Sequence, residues 1–294
     1  MFRLYLAFLA FNHQIHSQVN VFLLLAFFEF LYLNDFKYGN ILNHFSAIKS
    51  KLSLFGQDVS CFQDHRISTY LKAIQKQSPL SVTIKPIFDI PLLNRICLAC
   101  DSTFQGQVFK VAYLLGFFGF LRLSNLCPHS LADFSILKHL TRGDVFFHAS
   151  GIKILIKWSK TMQLNNQAKP LSLPLLNSAI CPVAAINKLL KIQPGGKNSP
   201  LLQFRVSNTL QPLTDTRVRK HLKNIITFLN IGDKNLTFHA FRRSGATYAF
   251  NHNVTLQNIQ HHGTWSSECV WQYVTDSVKA SSQVSDTFRS TLSS

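Results

Sequence analysis

Acidic residues are scarce in this 294-residue chain: 13 Asp and Glu stand against 30 Lys and Arg, which gives a formal net charge of +17. A chain so poor in carboxylates is a weak candidate for a two-metal nuclease, whose site needs several Asp or Glu ligands. No carboxylate occurs between Asp144 and Asp215, although this stretch contains eight Lys and Arg residues. The unopposed positive charge predicts a polyanionic partner, nucleic acid ahead of an anionic membrane surface; an ordinary solvated face is the alternative.

Cysteine pairs and long apolar runs are also lacking. Six cysteines are scattered along the chain, and the C-x-x-C pair Cys97 and Cys100 has no second pair or His cluster at zinc-like spacing. We interpret all six as reduced, mostly buried thiols of an intracellular protein without a metal site. Two apolar runs, Leu4–Phe11 and Val21–Leu33, are too short to span a bilayer, and no signal-peptide cleavage site follows the first. Both are interpreted as buried helices, so no membrane partner is expected, and the abrupt apolar start indicates a truncated reading frame.

Apolar residues make up 47% of the chain and include 26 Phe, enough material for two buried cores. The polar, proline-containing stretch 77–82 lacks periodicity and predicts a linker. We therefore expect a helical domain over residues 1–80 and a second domain over residues 86–294. In the first domain, helical spacing predicts four helices: Leu4–Phe11, Val19–Leu33, Tyr38–Leu54 and His65–Gln77.

The second domain combines helices with a short region of strand periodicity. Apolar and basic residues alternate from Ile152 to Trp158 after the turn at 149–151, and a further strand is predicted over 168–173. The predicted fold class is mainly α with a small three-stranded antiparallel sheet. The helices expected around the sheet are 92–100, 107–118, 182–190, about 215–230, one starting at Thr237 or Phe238, a short one ending at Gly263, and a final one carrying Tyr273.

Three segments of this second domain carry residues suited to chemistry. In Gly119–Leu126 a single arginine, Arg122, interrupts a strongly apolar stretch, so it must be paired or face a site. In the segment that begins His239-Ala240-Phe241-Arg242, the His and the Arg are three residues apart and share a helix face. The third segment, Gly263–Tyr273, contains Gly-Thr-Trp-Ser-Ser and ends on a tyrosine.

These ordered segments resemble the tyrosine recombinase (phage integrase) family, and the resemblance is strongest over residues 110–275. The form of the first segment and the G-x-W-S-S spacing of the last are most similar to recombinases of eukaryotic mobile elements, such as DIRS-like and Crypton-like transposons. The resemblance implies an N-terminal helical core-binding domain and a catalytic domain with the DNA breaking-rejoining fold, which together clamp double-stranded DNA. It also implies a homotetramer on synapsed DNA, with residues 277–294 as a candidate exchanged segment, and no metal or cofactor.

The resemblance also assigns site residues. Arg122, His239 and Arg242 would contact the scissile phosphate, since guanidinium groups stabilise developing negative charge and His239 can act as a base. Trp265 stands where many relatives have His, and its indole N–H can donate to phosphate but cannot titrate. Tyr273 would be the nucleophile that forms a 3′-phosphotyrosine.

The hairpin lysine that protonates the departing 5′ oxygen matches Lys160, with Lys153 and Lys157 as competing candidates. Other basic side chains are expected to bind the DNA backbone. These are Lys49, Lys51, Lys153, Lys157, Arg217, Arg219, Lys220 and Arg243. His261 and His262 are interpreted as helix-end residues.

One position departs from the family pattern, because Asn125 stands where the family usually has Glu or Asp. The loss of that charge leaves a second hypothesis open, a decayed or domesticated DNA-binding protein that keeps the recombinase fold without strand transfer. A membrane-associated helical protein is a third hypothesis, which rests only on the N-terminal apolar runs. The resemblance implies a nuclear protein if the source is eukaryotic and a cytoplasmic one otherwise.

Overall fold

The computed structural model describes residues 1–14, 18–78, 86–158, 168–193, 195–232, 236–265 and 270–271. The chain divides into two compact units, Met1–Thr83 and Ile84–Ser294. Lys160, Tyr273, the predicted final helix, the 277–294 segment and most of the expected linker lie outside the described residues. Among the described residues, none of the helices has the length and apolar character needed to cross a membrane.

The first unit is a bundle of helices around an aromatic core. Its helices are α1 (Phe2–Phe11), α2 (Val21–Leu33), α3 (Tyr38–Leu54) and α4 (His65–Gln77). Asn20 and Asp64 cap α2 and α4, because their side-chain oxygens accept hydrogen bonds from the first-turn amides of Leu23 and Arg66. α2 is apolar on nearly every side and buries Leu24, Phe27, Phe28 and Leu31 completely, as expected of a helix in the middle of a core.

The second unit has the predicted class, mainly helical with one three-stranded antiparallel sheet. Its helices are α5 (Ile90–Ala99), α6 (Phe104–Phe118), α7 (Leu123–Leu126), α8 (Pro182–Ile192), α9 (Asp215–Phe228), α10 (Phe238–Asn251) and α11 (Leu256–His262). Its strands are β1 (Val145–His148), β2 (Gly151–Ile156), β3 (Lys169–Pro174), β4 (Gln203–Val206) and β5 (Thr209–Pro212). The β4–β5 hairpin and the short helix α7 were not predicted from the sequence.

The sheet has the order β1-β2-β3, with β2 in the middle. Ile152 and Ile154 of β2 are opposite Leu173 and Leu171 of β3, and all four side chains are buried. Lys153 lies on the other face of β2 and is exposed. The alternation of isoleucine and lysine in the sequence therefore marks the buried and solvent faces of this strand.

Helix α6 is the centre of the second unit and packs against α8 and α10. Gly245 of α10 lies directly on the α6 backbone: a Cβ atom there would approach the Phe117 carbonyl oxygen to 2.1 Å and the Phe120 ring to 2.8 Å. Gly116 permits a similar approach from α6, where a Cβ atom would be 2.9 Å from the Phe238 ring. The two glycines bring α10 against the end of α6, where the segment that carries Arg122 begins.

Substitution of Gly245 by alanine is expected to destabilise the second unit, because the methyl group would push α10 away from α6. Overpacking of this kind costs about 1–3 kcal/mol of the free energy of unfolding. Gly39 is the control, since a Cβ atom at this position in α3 meets nothing within 4 Å. Urea denaturation of the full chain followed by circular dichroism checks this: equal, small effects of Gly245→Ala and Gly39→Ala would contradict the packing described here.

Candidate active site

A cleft of about 580 Å³ opens at the N-terminus of α10 and collects positively charged and imidazole side chains. Thr237, with extended backbone at φ −111° and ψ 168°, precedes the helix and lines this cleft. The amide groups of a helix N-terminus favour anions, and surrounding cations add to this preference. The charged and imidazole residues that line the cleft are Arg122, His129, Asp133, Lys138, His139, Asp215, Arg219 and His239.

Arg122 reaches the cleft because its neighbours are held in the core. Leu121 and Leu123 are 4% and 6% exposed, whereas Arg122 between them is half-buried. The backbone turns sharply before it, with Phe120 in the left-handed region at φ 48°. The Arg122 amide then donates to Oδ1 of Asn125 at 3.0 Å, which fixes the start of α7. The guanidinium is therefore carried on a backbone that is restrained on both sides.

His239 lies in the first turn of α10 and is half-buried between the buried residues Phe238 and Ala240. It lines the same cleft as Arg122, so the structure brings together two of the site residues that the resemblance assigned. Arg219, from the first turns of α9, also lines this cleft and has its Nε 3.6 Å from the Asp215 carboxylate.

Arg242, which the resemblance assigned to the scissile phosphate, is buried in the domain. It is 1% exposed, and among the described residues it is not part of the lining of the cleft. One terminal nitrogen donates to the Phe120 carbonyl, and Nη2 donates to the Gly263 carbonyl at 2.8 Å. Its Cζ lies 3.8 Å from the centre of the Trp265 ring. In this structure the guanidinium joins the turn after α6, helix α10 and the residues after α11.

Trp265 is 4% exposed and lies in a small core with Phe120, Ala246 and Ile259. The structure thus places its indole on the Arg242 guanidinium inside the domain. The loop reaches this position because Gly263 has no side chain: a Cβ atom there would overlap the Trp265 ring at 1.8 Å.

His262, which the sequence analysis interpreted as a helix-end residue, is half-buried and has a specific partner. Its Nε2 donates to the Phe118 carbonyl at 2.8 Å, the carbonyl oxygen being able only to accept. Burial lowers the pKa of this imidazole, and the positive charges of His261 and Arg242 lower it further. The neutral ring therefore serves as a donor to the end of α6.

Two of the residues expected to bind DNA, Lys157 and Arg243, have less accessible side chains than a cation on an open surface. Lys157 has its Nζ 2.6 Å from Oδ2 of Asp144, with side chains only 19% and 9% exposed, so its charge is neutralised within the domain. Arg243 is 6% exposed because α10 is buried on every side from Ala240 to Thr247. A helix packed all round leaves no face on which this residue could remain in solvent.

The other expected DNA-binding residues are more accessible. Lys153, Arg217 and Lys220 are exposed, and Arg217 has its Cζ 4.5 Å from the centre of the Phe204 ring. In the first unit, Lys49 and Lys51 are half-buried on α3, and Nζ of Lys51 lies 4.8 Å from the centre of the Phe55 ring.

The segment between α7 and the sheet contributes residues that the sequence analysis missed. Nζ of Lys138 lies 4.4 Å from the centre of the Trp158 ring, and Nδ1 of His129 lies 3.3 Å from Oδ1 of Asp215. Burial lowers the pKa of His139, as does the charge of the neighbouring Lys138. In the sequence these residues form a group of basic and imidazole side chains in a stretch without periodicity. Without periodicity, the sequence does not indicate which of these side chains face a common site.

No three His, Cys, Asp or Glu side chains of the described ranges gather as a metal site would require. The five described cysteines are free thiols, and Cys61 is the least buried of them.

Replacement of Arg242 by lysine is expected to lower the free energy of unfolding by about 2 kcal/mol, because one ammonium group cannot satisfy the Phe120 and Gly263 carbonyls and also stack on Trp265. Arg219→Lys is the matched control, since the Arg219 side chain is 60% exposed and the change should stay within about 0.5 kcal/mol. Thermal and urea unfolding of both variants measure the loss of stability relative to the unmodified chain. Equal stability of Arg242→Lys and Arg219→Lys would contradict the conclusion that Arg242 connects the three segments.

Comparison with known proteins relates this fold to a set of DNA-bound enzymes. No family model and no curated protein matches the chain in sequence. The structure of the Tn1549 transposon integrase in complex with circular intermediate DNA matches with a TM-score of 0.59 and 16% identity, covering 91% of this chain and 84% of that one.

Two further structures agree with this match. A lambda integrase dimer bound to a COC′ core site has a TM-score of 0.55 and 12% identity, with 93% of this chain and 88% of that one covered. XerH site-specific recombinase bound to its difH substrate has a TM-score of 0.50 and 15% identity, with 86% and 71% covered. At these identities the likeness is one of architecture, and the chain has the fold of the tyrosine recombinases.

Proposed function

We propose that this protein is a site-specific DNA recombinase or integrase, which cleaves and rejoins DNA through a covalent bond to Tyr273. The observation that carries the proposal is the cleft at the N-terminus of α10, where Arg122 and His239 meet in a chain with the fold of the tyrosine recombinases. Both residues come from segments that resemble the catalytic segments of that family.

The cleft suits a phosphodiester in charge and in hydrogen bonding. The Arg122 guanidinium can donate two parallel hydrogen bonds to the non-bridging oxygens, on which negative charge accumulates in the transition state. The N-terminus of α10 adds a favourable dipole, and Lys138 and Arg219 add further positive charge along the lining. His239 faces the same space and can accept the proton of an attacking hydroxyl.

In the proposed reaction the Tyr273 phenol loses its proton to His239, and its oxygen attacks the scissile phosphorus. The bond between phosphorus and the 5′ oxygen breaks as the 3′-phosphotyrosine bond forms, and Lys160 protonates the departing 5′ oxygen. A phenol with a pKa of about 10 needs such a cationic environment to attack efficiently. Rejoining reverses these steps with a new 5′ hydroxyl, so the ester itself retains the energy for ligation.

The proposed partner is double-stranded DNA, bound by a homotetramer on two synapsed duplexes. The Met1–Thr83 unit is proposed to grip DNA through Lys49 and Lys51 of α3, and the second unit to carry the chemistry. The matched structures of integrases and recombinases bound to DNA support this assignment. The motifs at 119–126 and 263–267 support a recombinase of a DIRS-like or Crypton-like mobile element, which would act in the nucleus.

A DNA-binding protein without strand transfer is the second candidate, and one observation favours it. Arg242, the second arginine of the expected phosphate clamp, donates to two backbone carbonyls and is 1% exposed. A site in which Arg242 does not reach the phosphate would still bind DNA but would stabilise the transition state less. Covalent capture of DNA separates the two candidates.

Lys153 and Lys157 form a matched pair on and just after β2 that tests the DNA contact. Lys153→Gln is expected to weaken DNA binding at every sequence and to reduce the slope of log K against log salt by about 1, as one phosphate contact is lost. Lys157→Gln is expected to leave the slope unchanged and instead to lower the free energy of unfolding by about 1–3 kcal/mol, because the buried Asp144 carboxylate loses its cationic partner and keeps only the Thr141 donors. Fluorescence anisotropy titrations at several salt concentrations measure the slopes, and the same slope change in both variants would refute the assignment.

Covalent capture tests the chemistry directly. The full chain is incubated with a library of duplexes that have a randomised central region and nicks that prevent religation, and DNA that stays attached after denaturation is amplified and sequenced. The proposal predicts a protein–DNA adduct for the unmodified chain and none for Tyr273→Phe, which lacks the attacking oxygen. Arg122→Ala should reduce adduct formation by about 10²–10³-fold, the loss typical of one donor to a transition-state charge.

Non-covalent binding to the selected duplex is the control for these variants. Tyr273→Phe should bind with unchanged affinity, because removal of one phenolic oxygen leaves the basic surface intact. Binding by the unmodified chain with no adduct under any selection condition would overturn the enzymatic proposal in favour of the second candidate.

A further inference from the structure

Asn125 connects two segments that approach the candidate site from different directions. It is 4% exposed, and its Oδ1 accepts a hydrogen bond from the Arg122 amide at 3.0 Å. Its Nδ2 donates to the carbonyl oxygen of Trp158 at 2.6 Å. The Asn125 backbone amide also donates to the Arg122 carbonyl at 2.9 Å, so the two residues are bound reciprocally.

The chemistry of these partners requires a side chain that accepts on one arm and donates on the other. The Arg122 amide can only donate, and the Trp158 carbonyl can only accept. A neutral primary amide meets both demands, whereas an ionised carboxylate has acceptors alone and would place an oxygen against the Trp158 oxygen. The Trp158 carbonyl would then lose its donor and be repelled by the carboxylate, and an unsatisfied polar group at a buried position lowers stability.

Both ends of this link belong to the site. Arg122 lines the cleft beside His239, and the Trp158 ring lies under Lys138, which lines the same cleft. Trp158 is also two residues before Lys160 in the sequence. A displacement of the Arg122 backbone relative to Trp158 would therefore change the spacing between the Arg122 guanidinium and the Lys138 ammonium, which lies over the Trp158 ring.

We propose that Asn125 is a positioning residue of the strand-transfer site, and that its neutral amide sets the Arg122 segment against the Trp158 carbonyl as no carboxylate can at neutral pH. This inference rests on the proposed function for its catalytic consequence. Among the described residues, the charged groups on or against the joined segments include Arg122, Lys138 on the Trp158 ring, and Lys157, whose ammonium pairs with Asp144. The Asn at this position is thus a working part of the site in this chain.

The test compares Asn125→Asp, Asn125→Leu and Asn258→Asp in the full chain. Asn125→Leu removes both hydrogen bonds at nearly constant volume, and Asn258→Asp makes the same charge change at an exposed residue of α11. The rate of adduct formation on the duplex selected by covalent capture is measured between about pH 5 and pH 8 and divided by the rate of the unmodified chain at each pH. The division removes any pH dependence that is common to all four proteins.

At the high end of this range, Asn125→Asp is expected to be on the order of a hundredfold slower than the unmodified chain, the loss typical of a misplaced catalytic group. The ratio should rise as the pH falls, because a protonated carboxyl group can donate to Trp158 and accept from Arg122. Burial raises the pKa of such a carboxyl group above its usual value of about 3.9. The rise in the rate ratio is therefore expected to begin at the acidic end of the pH range that is measured. Asn125→Leu should be slow with a flat ratio, and Asn258→Asp should have a flat ratio near unity.

A flat ratio for Asn125→Asp, or rates within about twofold of the unmodified chain, would overturn the inference. Urea unfolding of the same proteins measures the contribution of the Asn125 amide to stability, and it does not require strand-transfer activity. The folded state would raise the pKa of the new carboxyl group, so the deficit in stability of Asn125→Asp should be small at low pH and grow as the pH rises. A constant deficit across the range would contradict the role of the amide, whereas the absence of an adduct from the unmodified chain would contradict only the proposed function.

Discussion

The buried guanidinium of Arg242 is the interaction on which the architecture of the site depends. It donates to the Phe120 and Gly263 carbonyls and stacks on Trp265, so three segments far apart in the sequence share one cation. Two carbonyl oxygens and an aromatic face are among the partners of this charge, which is 1% exposed. Because Phe120 is two residues before Arg122, the geometry of the cleft follows from this buried contact.

The electrostatic character of the cleft depends on arginine and lysine more than on histidine. Burial lowers the pKa of His139 in the cleft and of His262 behind it, which favours their neutral forms. Positive charge is supplied by Arg122, Lys138 and Arg219. Two carboxylates, Asp133 and Asp215, also line the cleft and offset part of this charge, and Nε of Arg219 lies 3.6 Å from the Asp215 carboxylate. Lys and Arg side chains still outnumber carboxylates along the lining, which favours an anion.

Periodicity and capping residues in the sequence were enough to predict most helices and the three-stranded sheet. Features that depend on tertiary contacts, such as a short hairpin and the partners of a buried side chain, could not be predicted. Helix α3 has the predicted bounds Tyr38–Leu54, because apolar residues recur at helical spacing along it. The β4–β5 hairpin was missed because its strands are four residues long and its Ser207-Asn208 turn contains no glycine. The cleft at Arg122 and His239 follows from residues that stood out in the sequence. A buried arginine and a phosphate-binding arginine give the same sequence pattern, however, so the partners of Arg242 could not be predicted.

The left-handed backbone at Phe120 limits which side chains can replace this residue. A non-glycine residue at φ 48° carries roughly 1–2 kcal/mol of unfavourable conformational energy. The packing of its ring against Trp265 and the hydrogen bond from Arg242 to its carbonyl hold it there. A glycine at this position would relax the turn, but it would also free the backbone that delivers Arg122. It would also remove a ring that is 6% exposed, and the loss of a buried aromatic side chain costs about 3–5 kcal/mol, more than the strain it would relieve. The buried ring therefore keeps the strained turn in place, and the orientation of Arg122 depends on the packing of its aromatic neighbour.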